Sequence, residues 1–268
     1  MIQHTILMPY SRPKNFQTLR EHMEGQGVTW VPLYDSDECH ALLATKDQSG
    51  VPAPSAGLLP DWIKPWRGDL PKRKGYDPGE VGPGKDVPTV NPGHWMCDTF
   101  LDLMKMRDGD GLHYQDQEGD LQEFFRKDHY VSFMTDDCLW NWNYWRKLQR
   151  HFVKRGPKDQ EYNPAVIISA HRIGGNIIYP QHRRPHEPFH QSTCTTFCTR
   201  FEALTVRADK LRDVRFGSFW AGDGIMVERL VEENIGQMPE SVAMASDCLV
   251  YFNALDPTAY GFPATHQR

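Results

Sequence analysis

The chain has 268 residues, of which 39% are hydrophobic and 24% charged; that is enough apolar material for one large α/β domain or two small ones. A formal net charge of −5 and a pI of about 6.2 argue against a dedicated duplex nucleic-acid surface, and no stretch reaches the length of a membrane span. Aromatic residues are dense at 12%, with 8 Trp, which suits either core filling or a stacking surface for bases or sugars.

Thr5–Met8 is an apolar run closed by Pro9-Tyr10-Ser11-Arg12-Pro13, a strand ending in a turn. Asn15 is placed to cap a helix carrying Phe16, Leu19 and Met23, and Gly25 and Gly27 stop it. Val28–Tyr34 reads as a second strand with an acidic exit at Asp35. Strand, short helix and strand make one βαβ unit, the building block of parallel sheets. From Val51 to Gly93 the chain is crowded with Pro and Gly, carries Trp62, Trp66 and the basic knot Lys72-Arg73-Lys74, and shows no period. Such a long irregular excursion is a functional loop or a surface insertion.

Helical periodicity returns over Trp95–Met106, and Leu121–Phe125 reads as a further short helix. Tyr130–Met134 is apolar, aromatic and β-prone, and Thr135, Asp136 and Asp137 follow at once. Adjacent carboxylates are costly to bury without partners. They are therefore expected at the end of this strand, within reach of water or a cation. As hard oxygen donors they suit Mg2+ or Mn2+; the competing reading is a solvated acidic turn capping the next helix. Trp140–Phe152 is expected to be that helix.

Ala165–Ala170 is a buried strand leading to His171-Arg172, and Arg172 is placed to meet a phosphate or an acid if the strand is parallel. Asn176–Tyr179 continues extended, Thr195–Arg207 alternates like a strand or a bent pair, and Ala208–Val214 reads as a short helix. Ala221-Gly222-Asp223-Gly224 opens an apolar helix, and a last strand centres on Leu249–Phe252. The six cysteines, Cys39, Cys97, Cys138, Cys194, Cys198 and Cys248, are scattered in a chain too long to need disulfide staples. They read as reduced thiols of a cytoplasmic protein.

This succession of a strand–turn–helix, a strand ending in an acid, a long insertion, a strand ending in paired acids and a late Gly-Asp-Gly turn resembles the GT-A glycosyltransferases, closest to the broad family-2 type. The resemblance implies one GT-A (Rossmann-like) α/β domain over 1–268. Its sheet would be mixed, mostly parallel and flanked by helices, with the irregular insertion at about 51–93. It implies transfer of a sugar, with inversion, from a nucleotide-sugar donor to a hydroxyl acceptor, aided by Mn2+ or Mg2+. Pro9, Tyr10, Arg12 and Asp35 would bind the donor nucleotide. Asp136 and Asp137 would hold the metal and diphosphate, with Asp136 touching donor as well. His266 would be a further metal ligand and Asp223 the catalytic base. Two departures stand out: Thr135 occupies the place of the first acid of the Asp-x-Asp motif, and Gly222-Asp223 stands where Glu-Asp is usual.

The chemistry asks for the same parts. A departing diphosphate needs a divalent cation, and an acceptor hydroxyl needs a base. A nucleotidyltransferase of related fold is the nearest alternative, but such enzymes carry a Gly-rich basic first loop and Tyr10-Ser11-Arg12 has no glycine. A different class would be a non-catalytic zinc or nucleic-acid-binding module. It would be built on His182, His186, His190, Cys194 and Cys198, which recur at every fourth position although Pro185 and Pro188 interrupt any helix there. No phosphate-binding loop, dinucleotide fingerprint or nucleophile elbow is present.

Overall fold

The computed structural model describes residues 2–9, 15–23, 28–33, 111–115, 121–155, 161–173, 176–180, 201–211, 242–252 and 254–255, parts of 97–106, and residues 215, 216, 226 and 230. The strands in chain order are β1 His4–Pro9, β2 Thr29–Leu33, β3 Lys105–Met106, β4 Leu112–Gln115, β5 Leu121–Phe125, β6 Tyr130–Phe133 and β7 Leu139–Trp140. They continue with β8 Lys154–Arg155, β9 Glu161–Tyr162, β10 Val166–Ile173, β11 Asn176–Ile178, β12 Leu204–Arg207 and β13 Val242–Tyr251. Helix α1 is Phe16–Met23 and α2 is Tyr144–Gln149.

The main sheet runs β2-β1-β6-β12-β10-β13-β7, with β11 hung on β10. β1 pairs in parallel with β2 and β6, and β10 with β13. β12 is antiparallel to both neighbours, β6 and β10, so β10 and β13 point the same way as β1, β2 and β6. β7 and β11 run against them. The fold is therefore α/β with a mixed sheet, as expected, but not a mostly parallel one: among the described strands, β11, β12 and β7 bring in antiparallel pairings that outnumber the parallel ones. Among the described residues, however, the helices are few and short.

Apolar residues cover both faces. Leu7, Val131, Phe133, Val166 and Ile168 point into one cluster; Ile6, Met8, Tyr130, Met134 and Ile167 point into the other. That is the period-two alternation of a strand. A strand buried on both faces reads as a continuous apolar run, which explains why β1, β6 and β10 are visible in the sequence. Pro32 sits in β2, the edge strand of the described sheet, the position in which a sheet tolerates proline. No described helix is long and apolar enough to cross a membrane.

Three local expectations are corrected. Leu121–Phe125 is a strand, paired with β4 in a hairpin; Leu, Gln and Glu favour helix locally, and cross-strand pairing overrides them. Lys105–Met106 is a strand and not the end of a helix. The helix expected from Trp140 starts at Tyr144, because Leu139 and Trp140 pair with Tyr251 and Val250 of β13. Asn143, at the head of α2, adopts a left-handed φ of 61°, a conformation that asparagine tolerates better than most side chains. The excursion at 51–93 lies outside the described residues.

Candidate functional site at the carboxyl edge of the sheet

Because β1, β2, β6 and β10 share a direction, their carboxyl ends emerge on one edge, the usual ligand edge of an open α/β sheet. β12 runs the other way and brings its amino end there. Val131, Val206 and Val166 lie level across β6, β12 and β10. The residues after Phe133, the turn before Leu204 and the end of β10 therefore meet at this edge.

β6 is continued by Met134, whose N–H still bonds to Leu7 O at 3.0 Å. The Cys138 N–H then donates to Thr135 O at 3.3 Å and closes a turn that displays Asp136 and Asp137. Two outside groups hold that turn. The Asn15 side-chain amide at the head of α1 donates to Asp136 O at 2.8 Å, and the Leu255 N–H donates to Asp137 O at 2.8 Å. Asn15 was expected as a helix cap; the contact its amide makes here ties the first helix to the acidic turn.

The Thr135 hydroxyl is the centre of the cluster. It lies 2.7 Å from Asp137 Oδ1 and 3.0 Å from Glu202 Oε1, with Cys138 Sγ at 3.0 Å. One hydroxyl has a single hydrogen to offer two carboxylates, so the arrangement concentrates acceptor oxygens. Asp136, Asp137 and Glu202 are 1%, 4% and 5% exposed. The strand-end position is as expected, but the access to water is not. The turn is buried, and the Thr135 hydroxyl and the Asp136 and Asp137 carbonyls are each met by protein groups.

Of the other residues singled out in the sequence, Pro9 is the buried last residue of β1. Arg172 is half-buried near the end of β10, its carbonyl accepting from the Phe252 N–H at 3.1 Å. Buried His171 precedes it. Tyr10, Arg12, Asp35, Asp223 and His266 lie outside the described residues, as do the His182–Cys198 stretch, Trp62, Trp66 and Lys72–Lys74. Glu202 was missed. The only sequence signal was a lone acid inside the apolar run Phe201–Val206.

A second cluster was also missed. β13 pairs with β10 through Ala245↔Ser169 and then Leu249↔Ala170, so Ser246, Asp247 and Cys248 bulge out of the ladder. Asn141 takes up the freed backbone: its Oδ1 accepts from the Leu249 N–H at 3.2 Å and its Nδ2 donates to Asp247 O at 3.2 Å. His151, just past α2, meets Asp247 with Nε2 to Oδ1 at 3.0 Å, and Lys154 Nζ reaches its Nδ1 at 2.7 Å. Burial, helped by Lys154 and opposed by Asp247, lowers the His151 pKa. Asp247 is lowered too: burial pulls it up, but its bond and charge contact with His151 outweigh that. Burial and the neighbouring Asp247 charge push the Cys248 thiol up to about 12. At neutral pH this is an imidazole hydrogen-bonded to a carboxylate beside a protonated thiol. The described cysteines, Cys97, Cys138 and Cys248, are buried and form no disulfide with one another.

No protein-family model, curated protein or solved structure matches this chain.

Proposed function

We propose that the chain is a metal-dependent glycosyltransferase of GT-A type that moves a sugar, with inversion, from a nucleotide-sugar donor to a hydroxyl acceptor. The observation that carries this reading is the gathering of Thr135, Asp136, Asp137 and Glu202 at the sheet edge from which β1, β2 and β10 also emerge. The described ends of β1, at Pro9, and β2, at Leu33, lie at that same edge, and Arg172 approaches it along β10.

The donors fit a hard cation: carboxylate and hydroxyl oxygens suit Mg2+ or Mn2+, which retain waters and need few protein ligands. Asp137 and Glu202 would hold the ion, and His266 would add a ligand from the C-terminal region. A cation held there would supply charge neutralisation for the departing diphosphate. Asp136 orients the ribose or diphosphate, Arg172 offers its guanidinium to a phosphate oxygen, and Asp223 accepts the proton of the acceptor hydroxyl. Glu202 supplies from another element the carboxylate that Thr135 lacks. Asp137 is 4% exposed, so donor entry would have to displace the atoms now covering it.

The test is a panel of nucleotide sugars scored for nucleoside diphosphate release with and without Mn2+ or Mg2+. Metal-dependent release from one donor class supports the reading; release from none, across the panel, removes it.

A further inference from the structure

We infer that His151, Asp247 and Cys248 form a zinc site of their own, separate from the oxygen cluster at the sheet edge. One ligand atom from each residue lies within 4.8 Å of the other two. Asp247 Oδ1 is 3.0 Å from His151 Nε2 and 3.9 Å from Cys248 Sγ. In a tetrahedral site, with bonds of about 2.0–2.1 Å to N and O and about 2.3 Å to S, ligand atoms stand about 3.3–3.6 Å apart. Both contacts are within a few tenths of an ångström of that spacing, and His151 and Cys248 lie within 4.8 Å of each other, so side-chain adjustment brings the three donors onto one ion. Three protein ligands leave a fourth position for water, and the half-exposed Asp247 side chain keeps it open to solvent.

The backbone is shaped for this display. Two of the three donors come from the bulge in β13, which interrupts an otherwise regular parallel pairing with β10. Such bulges re-aim side chains next to functional sites. Asn141 braces the bulge through three hydrogen bonds, two from its side chain and one from its N–H to Leu249 O; Lys147 Nζ adds a contact to Asp247 O at 3.4 Å. The donor set also decides the ion. Nitrogen, oxygen and sulfur together suit zinc, whereas Mg2+ and Mn2+ prefer oxygen alone.

Lys154 is the competitor. Its ammonium donates to His151 Nδ1, which leaves the ring hydrogen on Nε2, pointing at Asp247. Zinc at Nε2 requires that hydrogen to move to Nδ1 and Lys154 to withdraw. The ion also displaces the Cys248 proton to solvent, so binding exchanges Zn2+ for one proton with no redox change.

The experiment titrates the purified, metal-stripped full chain with Co2+ as a spectroscopic stand-in, then with Zn2+ against a chelator. Wild type should show thiolate-to-cobalt absorption in the near ultraviolet that Zn2+ abolishes stoichiometrically. Cys248→Ser should lose that absorption. Because Cys248 is buried and its replacement can disturb folding, Asp247→Asn at a half-exposed position provides the second reading: zinc affinity should fall at least about tenfold. Lys154→Met should bind zinc more tightly than wild type. Absence of cobalt–thiolate absorption in wild type, or unchanged zinc affinity in Asp247→Asn, would overturn the site. Neither result touches the oxygen cluster, whose metal dependence is read with Mn2+ or Mg2+.

Discussion

Thr135 and Glu202 stand 67 residues apart in the chain, and the hydroxyl of one meets the carboxylate of the other at 3.0 Å. This contact joins the end of β6 to the turn before β12, and it brings an acid beside the residue that replaces the first acid of the expected Asp-x-Asp pattern. If Glu202 serves the cation, Glu202→Gln keeps the volume and removes the charge. Metal-dependent turnover should fall at least about tenfold, with a matching rise in the Mn2+ concentration needed for half-maximal rate. A fall in thermal stability with unchanged metal dependence would instead make Glu202 a packing residue.

Asn15→Ala removes a donor from the buried Asp136 carbonyl. Leaving such an acceptor without its partner costs about 1–3 kcal/mol. Urea unfolding should show that loss, whereas Trp142→Ala, at a side chain 83% exposed, should stay within about 0.5 kcal/mol of wild type.

His4 ties stability to acid. It is buried between the rings of Trp145 and Phe152, with Nε2 2.8 Å from Ser132 Oγ. Burial, with a smaller contribution from His129, lowers its pKa from 6.5 to about 3. Between those values the unfolded chain binds a proton that the folded chain does not. The stabilisation is thus complete above pH 6.5 and lost progressively as pH falls towards 3. The slope approaches about 1.4 kcal/mol per pH unit. Unfolding free energies measured at pH 7 and pH 5 should differ by about 2 kcal/mol from this group, and His4→Asn should flatten the dependence.

Gly111 is packed tightly against the β4–β5 hairpin. A Cβ there would fall 1.8 Å from Phe125 O and 2.6 Å from the Arg126 carbonyl carbon, both backbone atoms that cannot swing aside. Gly111→Ala should therefore destabilise the chain by more than about 2 kcal/mol, seen as a lowered thermal midpoint. An unchanged midpoint would mean that the hairpin is not held as described.

The parts legible in the sequence were those whose side chains see apolar surroundings on both faces. β1, β6 and β10 announce themselves as unbroken apolar runs, and the acids after Phe133 mark the strand end. Other parts are decided by partners far along the chain. Leu121–Phe125 favours helix on its own and becomes a strand only because Leu112–Gln115 pairs with it. Leu139–Trp140 is claimed by β13 before α2 can start. Glu202 reaches Thr135 only once β12 is inserted between β6 and β10. No spacing rule links His151 to Asp247, since a bulge of unpaired residues creates their contact.

The central claim is that Asp137 helps hold a cation serving a nucleotide-sugar diphosphate. Its most direct test is Mn2+-dependent nucleoside diphosphate release by wild type, Asp137→Asn and Asp223→Asn, alongside donor affinity by calorimetry. The account predicts that Asp137→Asn abolishes release and weakens donor binding, while Asp223→Asn abolishes release and leaves donor binding intact. Full activity in both variants would contradict it.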